Sequence, residues 1–493
     1  MKIIIRIQDE VWIHILGLTK EHNKVLFDKY NIFSTGYYFH PLFRLGRWDG
    51  KVSHYSLSGK TYLYLLEEIL PLLINWNYEI EFDDRRSSGI ITPPKIDENL
   101  FIDCIHPDSN QPIKLRYYQV DAVNAVLNHG NGLCLCSTGS GKTLMCAAIL
   151  KSYTHFNLRS ITIVPDRTLI MQTKETYVVC NLDVGEYSGN VKDLNHQHIV
   201  STWQALQNNK EIIREFDIII VDECHKLTGK VLKNMISDQA ANIQYRFGVT
   251  GTLPKEKIDK LAVHYSIGPC RYEIPAHVLI EQNVLATLQI EIHQLFEDFS
   301  SHEKAPKEKS KLVRYTDNYF PDYSAEKSYL QFNEPRLEHI AELIISKRDE
   351  RGNVLVLMNS IPQARKLGKL IPDSKLVNGQ DCSNPVKRKE IYDMFESQNN
   401  LVVLATFAIA GTGLSINRIM TLVALDTGKS FSKVIQGIGR GLRTASDKQD
   451  VLFLDITSNL KYSKTHTSKR MEYYTEARYP FKKFKIEYMK KEK

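Results

Sequence analysis

Apolar residues along the chain gather into two blocks of short runs separated by helical stretches. In residues 100–285 the runs are Leu133–Cys136, Ser160–Val164, Ile199–Ser201, Asp217–Val221 and Tyr245–Val249, each bounded by Gly, Pro or polar residues. Continuous apolar runs of this length suit strands buried on both faces of a parallel sheet. In residues 331–460 the runs are Val354–Met358, Leu401–Ala405, Thr421–Leu425 and Val451–Leu454, with helical patterns at Ile361–Leu370 and Pro385–Phe395. Strand and helix in alternation imply right-handed crossovers, so the pattern predicts two α/β blocks in tandem.

The rest of the chain is patterned differently. Residues 1–95 combine a strand-like start (Lys2–Ile7), an amphipathic stretch (Val11–Tyr30), an Arg- and aromatic-rich segment (Phe39–His54) and an apolar helix candidate (Tyr62–Trp76). They end in a charged run and Pro93-Pro94, which predicts a separate small α+β domain. Residues 286–330 form a linker whose stretch Ser300–Lys311 is charged and nearly free of apolar residues, hence an exposed loop. Residues 461–493 read as a basic C-terminal tail.

Composition narrows the class. With 493 residues the chain is long enough for about three domains. An apolar share of 43% with 25% charged residues is that of a water-soluble globular chain, and no uncharged apolar window is long enough for a membrane span. The N-terminus lacks the long apolar stretch of a signal peptide. The eight cysteines include no C-x-x-C pair, so a zinc ribbon or an iron–sulfur cluster is not indicated. The tail holds eleven Lys and Arg against four acids, which accounts for the whole net charge of +7. Aromatics interleave these cations, a composition that suits nucleic acid, or equally a solvated terminus whose rings pack inward.

Chemistry enters at the strand ends. Ser137-Thr138-Gly139-Ser140-Gly141-Lys142-Thr143 follows an apolar run and precedes the helical pattern Leu144–Lys151, the setting of a phosphate-binding loop. Gly139 and Gly141 let backbone N–H groups wrap a phosphate, and the helix start adds partial positive charge. Lys142 would reach the β- and γ-phosphates, and Thr143 would hold Mg²⁺. Cys136 stands where the usual pattern has its first Gly. Asp222 and Glu223 end another run. Two buried carboxylates are costly without a cation, which assigns Asp222 to the metal and Glu223 to activating water. A simple helix cap would explain one acid but not both together with His225.

Thr250 and Thr252 end the next run and could sense the acidic pair. Arg116 and Gln119, upstream of the loop, could select an adenine edge. Far along the chain, Gln436-x-x-Gly439-Arg440-x-x-Arg443 places two arginines on one helix face, where they could stabilise charge on a transferring phosphoryl group. In the first domain, Arg44, Arg47, Trp48 and Lys51 make a basic-aromatic turn that could meet duplex DNA. Trp48 as a core plug with Asp49-Gly50 as a hairpin turn is the alternative.

In this order the motifs resemble those of superfamily 2 helicases across roughly residues 110–460. The resemblance implies two RecA-like domains with ATP and Mg²⁺ between them and a nucleic-acid strand across both. It implies that Pro165, Arg167, Thr202, Asn359, Thr406 and Thr412 touch nucleic acid, and that Gly413 and Gln436 join the ATP site. Ser415 stands where many relatives have Asp. Pro41-x-Phe43-x-x-Gly46-x-Trp48-Asp49-Gly50 and Asp222-Glu223-Cys224-His225-x-x-Thr228-Gly229-Lys230 are further similar to bacteriophage UvsW-type DNA helicases.

That narrower resemblance implies unwinding or branch migration of forked and four-way DNA in recombination, repair and replication. It also implies single-strand-binding or recombination proteins as partners, a monomer or weak oligomer, no membrane, and the host cytoplasm as the setting. An RNA helicase of the same superfamily and the motor subunit of a restriction-type complex remain alternatives.

Overall fold

Alternating burial shapes the first sheet. The computed structural model describes residues 1–34, 36–86, 89–107, 109–207, 209–297, 320, 322–378, 380, 390–391, 393–395, 397–407, 418–428, 438–439, 442, 448 and 450–488. Six strands lie within the first 84 residues: β1 (Lys2–Ile7), β2 (Trp12–Leu16), β3 (Asn31–Phe33), β4 (Lys51–Ser53), β5 (Lys60–Tyr62) and β6 (Glu79–Asp84). Four of them form a mixed sheet in the order β5-β2-β1-β6, with β1 parallel to β6 and antiparallel to β2. Ile3, Ile5, Ile7, Ile13 and Ile15 all face one side, as a period of two requires. They pack on Leu26 of the helix Lys20–Tyr30 and on Ile69 and Leu73 of the helix Leu66–Asn75. Ala241 and Tyr265, from the following domain, belong to the same apolar cluster. β3 and β4 pair apart from this sheet as an antiparallel ribbon.

The first tandem block carries β7 (Asn131–Cys136), β8 (Ser160–Val164), β9 (Val184–Tyr187), β10 (His198–Thr202), β11 (Ile218–Asp222), β12 (Tyr245–Thr250) and β13 (Cys270–Ile274). They form one sheet in the order β13-β7-β12-β11-β8-β10-β9, and every neighbouring pair is parallel. The second carries β14 (Thr287–Leu295), β15 (Val354–Met358), β16 (Lys375–Val377), β17 (Val402–Thr406), β18 (Thr421–Leu425), β19 (Asp450–Ser458) and β20 (Phe481–Ile486). Its order is β16-β17-β15-β18-β19-β14-β20, again parallel throughout. Two parallel sheets flanked by helices, behind a small N-terminal domain, are the tandem RecA-like architecture. Their central strands are buried on both faces, each Ile, Leu or Val contributing about 1.5–3 kcal/mol.

By contacts the chain divides into two compact units, Met1–Cys136 with Gly141–Ile274, and Ser137–Ser140 with Pro275–Lys493. The N-terminal sheet therefore shares a unit with the first large sheet.

Several expected segments differ from what forms. The 286–330 linker begins as β14 and ends in the helix Tyr323–Phe332. Its charged stretch Ser300–Lys311 lies outside the described residues, as does most of Pro385–Phe395. The basic tail is folded: Lys461–Glu476 is a helix and β20 closes the edge of the second sheet beside β14. Arg470 on that helix is buried, with both of its terminal fork atoms, Nε and Nη2, on Asp455 at 2.8 Å. Val11–Tyr30 divides into β2 and a helix. Tyr62–Trp76 starts as strand and a short 3₁₀ turn before its helix. Among the described residues no helix is long and apolar enough to cross a membrane.

Candidate active site

The parallel registers bring the C-terminal ends of five strands level. Thr250 of β12 pairs with Leu135 of β7, Asp222 of β11 with Val249, Val221 with Ile163 of β8, and Thr202 of β10 with Val164. Open α/β sheets bind ligands at this edge, where strand ends hand over to helix N-termini. The phosphate-loop residues leave β7 after Cys136 and enter the helix Lys142–Tyr153. That helix buries Met145 through Leu150, so the loop stands on a fixed support. Gly141 caps it at φ 82°, a left-handed conformation that favours glycine. A Cβ there would also come within 2.4 Å of Gln119 Nε2.

Gln119 is buried at the start of the helix Tyr117–Leu127. Its amide oxygen accepts from the Arg116 N–H at 2.8 Å, and its amide nitrogen faces Gly141. The capping bond fixes the side chain beside the loop. Next to it opens a cleft of about 740 Å³, lined by His106, Gln111, Lys114, Arg116, Gln119 and Leu144. His106, Gln111 and Lys114 escaped the sequence reading, since they sit in an irregular segment with no periodicity. Their only signal was closeness to Arg116.

The acidic pair lies at the end of β11. Asp222 Oδ1 accepts from the Glu223 N–H at 2.8 Å. Glu223 adopts φ 51°, costly for a residue with a Cβ by about 1–3 kcal/mol. Burial, then the adjacent Glu223 charge, raise Asp222 to about 6, against the opposing charge of Lys142. Burial also pushes Glu223 upward, but the His225 hydrogen bond and the Lys142 charge outweigh it, and its carboxyl lies below the usual range. One acid of the pair is thus held ionised, while burial and that neighbouring charge hold Asp222 toward its protonated form. Thr143 and Asp222 offer hard oxygen donors, the set that Mg²⁺ takes.

A hydrogen-bonded chain leads away from Glu223. Thr250 Oγ lies 3.2 Å from Glu223 Oε2, 2.9 Å from His225 Nδ1 and 3.0 Å from the Thr252 carbonyl oxygen. The Thr252 N–H points back at Thr250 Oγ, at 3.4 Å. Asp222, Glu223, His225, Thr250 and Thr252, which the sequence placed on two separate runs, form one cluster because β11 and β12 are neighbours.

Residues 112–255 match the family described as "Type III restriction enzyme, res subunit", and residues 335–445 match "Helicase conserved C-terminal domain". The chain is a superfamily 2 helicase. It is 24% identical over 466 residues to the ATP-dependent DNA helicase UvsW of Enterobacteria phage T4, covering 90% of this chain and 88% of that one. It is 22% identical over 394 residues to the DNA 3'-5' translocase XPB2 of Sulfurisphaera tokodaii, covering 74% and 86%. A putative HsdR subunit of a type I restriction enzyme from Vibrio vulnificus shares the fold, with a TM-score of 0.56 at 16% identity over 79% of this chain and 71% of that one.

The described positions that the resemblance assigned to nucleic acid fall at or just after strand ends of the two large sheets. Pro165 is buried just after β8, while Arg167 is exposed on the first turn of the helix Arg167–Val179. Thr202 ends β10 and caps the following turn at Ala205 N. In the second unit, Asn359 is exposed just after β15, and Thr406 ends β17, whose register pairs it with Met358. Thr412, Gly413, Gln436, Arg440 and Arg443 lie outside the described residues.

In the N-terminal domain of the helicase, Arg44 and Arg47 are exposed and Lys51 is half-buried on β4. Trp48 is half-buried. Its indole N–H donates to the Lys51 carbonyl at 2.8 Å, and its ring meets His40 edge-on. Trp48 thus holds the turn together, while the rings facing outward are Tyr38 and Phe39, which the sequence reading did not single out.

Proposed function

We propose that this helicase couples ATP hydrolysis to unwinding or migration of branched duplex DNA. The observation that carries the ATPase part is the Glu223–Thr250–His225 chain, set one strand away from the phosphate loop. Lys142 would bind the β- and γ-phosphates beside the Gly139–Gly141 backbone. Glu223 would take the proton of the attacking water. Thr143 and Asp222 would hold Mg²⁺, which supplies charge neutralisation on the transferring phosphoryl oxygens. Arg116 and Gln119, with the adjoining cleft, would seat the base. Gln436 and Gly413 would join the site, and Arg440 and Arg443 would stabilise the transition state from the second unit.

His225, Thr250 and Thr252 would pass the state of the nucleotide on to the strand ends that carry Pro165, Arg167 and Thr202. Asn359, Thr406 and Thr412 would also contact nucleic acid. The names of the relatives support DNA as substrate, and so do the exposed cations Arg44 and Arg47.

The test is ATP hydrolysis and strand separation by the full chain on single-stranded, duplex, forked and four-way DNA, and on matched RNA. Forked or four-way DNA should stimulate hydrolysis most and be unwound, and Glu223→Gln should abolish both while ATP still binds. Equal stimulation by RNA, or turnover in Glu223→Gln, would overturn the proposal.

A further inference from the structure

The ribbon β3–β4 carries an excursion, residues 34–50, that is built as a rigid tip. The Ser34 N–H donates to the Gly50 carbonyl at 2.8 Å and closes the loop at its base. Inside, Tyr37 stacks on Phe33 with centroids 4.7 Å apart and meets Phe43 edge-on at the same distance. Gly50, at φ 80°, leaves room for Tyr37, since a Cβ there would come within 2.4 Å of the ring. The tip therefore has its own small aromatic core.

Outside, it presents apolar groups where a soluble surface is normally polar. Phe39 and Leu45 are each 66% exposed, Tyr38 55% and Leu42 45%. Five large exposed side chains within thirteen residues, counting Phe33, make a patch rather than scattered surface residues. Tyr38 and Phe39 form a splayed pair, with centroids 4.4 Å apart and planes at 50°. The patch is rimmed by cations. Arg44 stands over the Phe39 ring at 6.0 Å and Lys51 over Phe33 at 4.8 Å, and Arg47 is exposed. The acid within residues 34–50, Asp49, accepts from the Lys51 N–H.

We infer that this tip stacks on the exposed base-pair face at a DNA branch point, with Tyr38 and Phe39 against the bases and Arg44, Arg47 and Lys51 on the flanking phosphates. The inference rests on the DNA reading above and names the part of the substrate that the N-terminal domain recognises. Charge decides the occupant, because exposed aromatic rings inside a cationic rim complement a polyanion with π faces. Geometry decides the branch: in continuous duplex every base face is covered by its neighbour, whereas a junction or fork leaves faces open. Stacking on aromatic side chains is sequence-tolerant, as recognition of a structure rather than a sequence requires.

The test uses the full-length protein with Tyr38→Ala/Phe39→Ala and, as a control that keeps a stacking ring, Phe39→Trp. A fork carrying 2-aminopurine at the branch should change fluorescence on binding wild type and Phe39→Trp but not the double variant. Fork affinity of the double variant should fall about ten- to hundredfold, while single-strand affinity and single-strand-stimulated ATP hydrolysis stay at the wild-type level.

Unchanged fork affinity in the double variant would overturn the inference. So would an equal loss on branchless duplex, or a wild-type dimer in sedimentation that the double variant dissolves, which would make the tip a contact between copies. If no DNA of any form stimulates wild-type hydrolysis, the helicase reading itself fails, whatever the tip variants do.

Discussion

With the His225 Nδ1–H donating to Glu223, Thr250 has one hydroxyl proton and two acceptors within reach, Glu223 Oε2 and the Thr252 carbonyl oxygen. A proton on the Glu223 side steadies the carboxylate; on the Thr252 side it leaves Glu223 freer to accept from water. This is a local two-position element beside the carboxylate proposed as the base, and it would give a threonine at the end of an ordinary core strand a part in the proposed chemistry. Thr250→Val keeps the shape but removes the hydroxyl, taking one hydrogen bond each from Glu223, His225 and the Thr252 N–H. It should lower kcat for ATP about ten- to hundredfold with little change in KM, and cost about 1–3 kcal/mol of stability from the lost hydrogen bonds. Thr250→Ser should restore most of both. Steady-state hydrolysis and thermal melting of the two variants decide it; a valine variant with wild-type kcat would remove Thr250 from the coupling path.

At the scale of elements, the strands that sequence made legible are central ones. Every predicted apolar run in the two large blocks lies inside a strand or reaches it within a residue, because a strand with helices on both faces must be apolar throughout. The strands that went unseen are instructive. β9, β13, β16 and β20 are the four edges of the two sheets, where one side is open and an apolar run is not required. β20 reads Phe-Lys-Lys-Phe-Lys-Ile, and its lysines suit an edge that must not pair with another chain. β14, the one interior strand missed, alternates Leu288, Ile290 and Ile292 with polar residues and so hid its apolar half.

The candidate site followed the same rule. The sequence singled out residues at the ends of central strands, and Arg116 and Gln119 at a helix start, whereas cleft residues in irregular chain, such as Lys114, carry no periodic signal.

Two buried histidines give these elements a pH dependence. His54 lies in the N-terminal domain against Tyr62 and Tyr265, and His198 in β10 is bonded to Ser160 Oγ at 2.8 Å. Burial lowers both to about 4, aided by the charge of Lys233 at His54; at His198, Asp183 opposes and Lys151 assists. Folded, they stay neutral where the unfolded chain would bind protons. Stability is therefore full above about pH 6.5 and falls as pH drops from there to about 4, by up to roughly 3 kcal/mol per histidine. The melting temperature should fall from pH 7 to pH 5, and less steeply in His54→Phe and His198→Gln. An identical slope in both variants would show that other groups set the dependence.

At the scale of the molecule, the small N-terminal domain shares one compact unit, and part of one apolar core, with the first large sheet. Tyr62 stacks on Tyr265 at 4.8 Å and 16°, and the Trp12 indole N–H donates to the Ser237 carbonyl at 2.8 Å. The Glu10 N–H donates to the Ala241 carbonyl at 3.0 Å, and the Ile91 N–H to Tyr245 Oη at 2.8 Å. Beneath this contact Arg246 is buried, its guanidinium donating to the carbonyls of Ser266, Ala240 and Ile236. Burial lowers it to about 10, while Tyr64, Glu10 and Asp9 of the N-terminal domain hold it up.

Removing residues 1–95 would therefore strip a shared core and also leave a buried cation without its surrounding acids. A chain beginning at residue 96 should aggregate or melt far below the full protein. In full-length protein, Tyr265→Ala should destabilise the N-terminal sheet and the first large sheet together, by about 3–5 kcal/mol, in one calorimetric transition. Phe39→Ala, at the exposed tip, should leave that transition where it is. Separate transitions for the two sheets would mean that the tip is carried on a tether. A single one means that the sheet carrying the tip and the strand ends bearing Glu223 and Thr250 unfold together, as the proposed branch contact and the proposed nucleotide site would require to act through one frame.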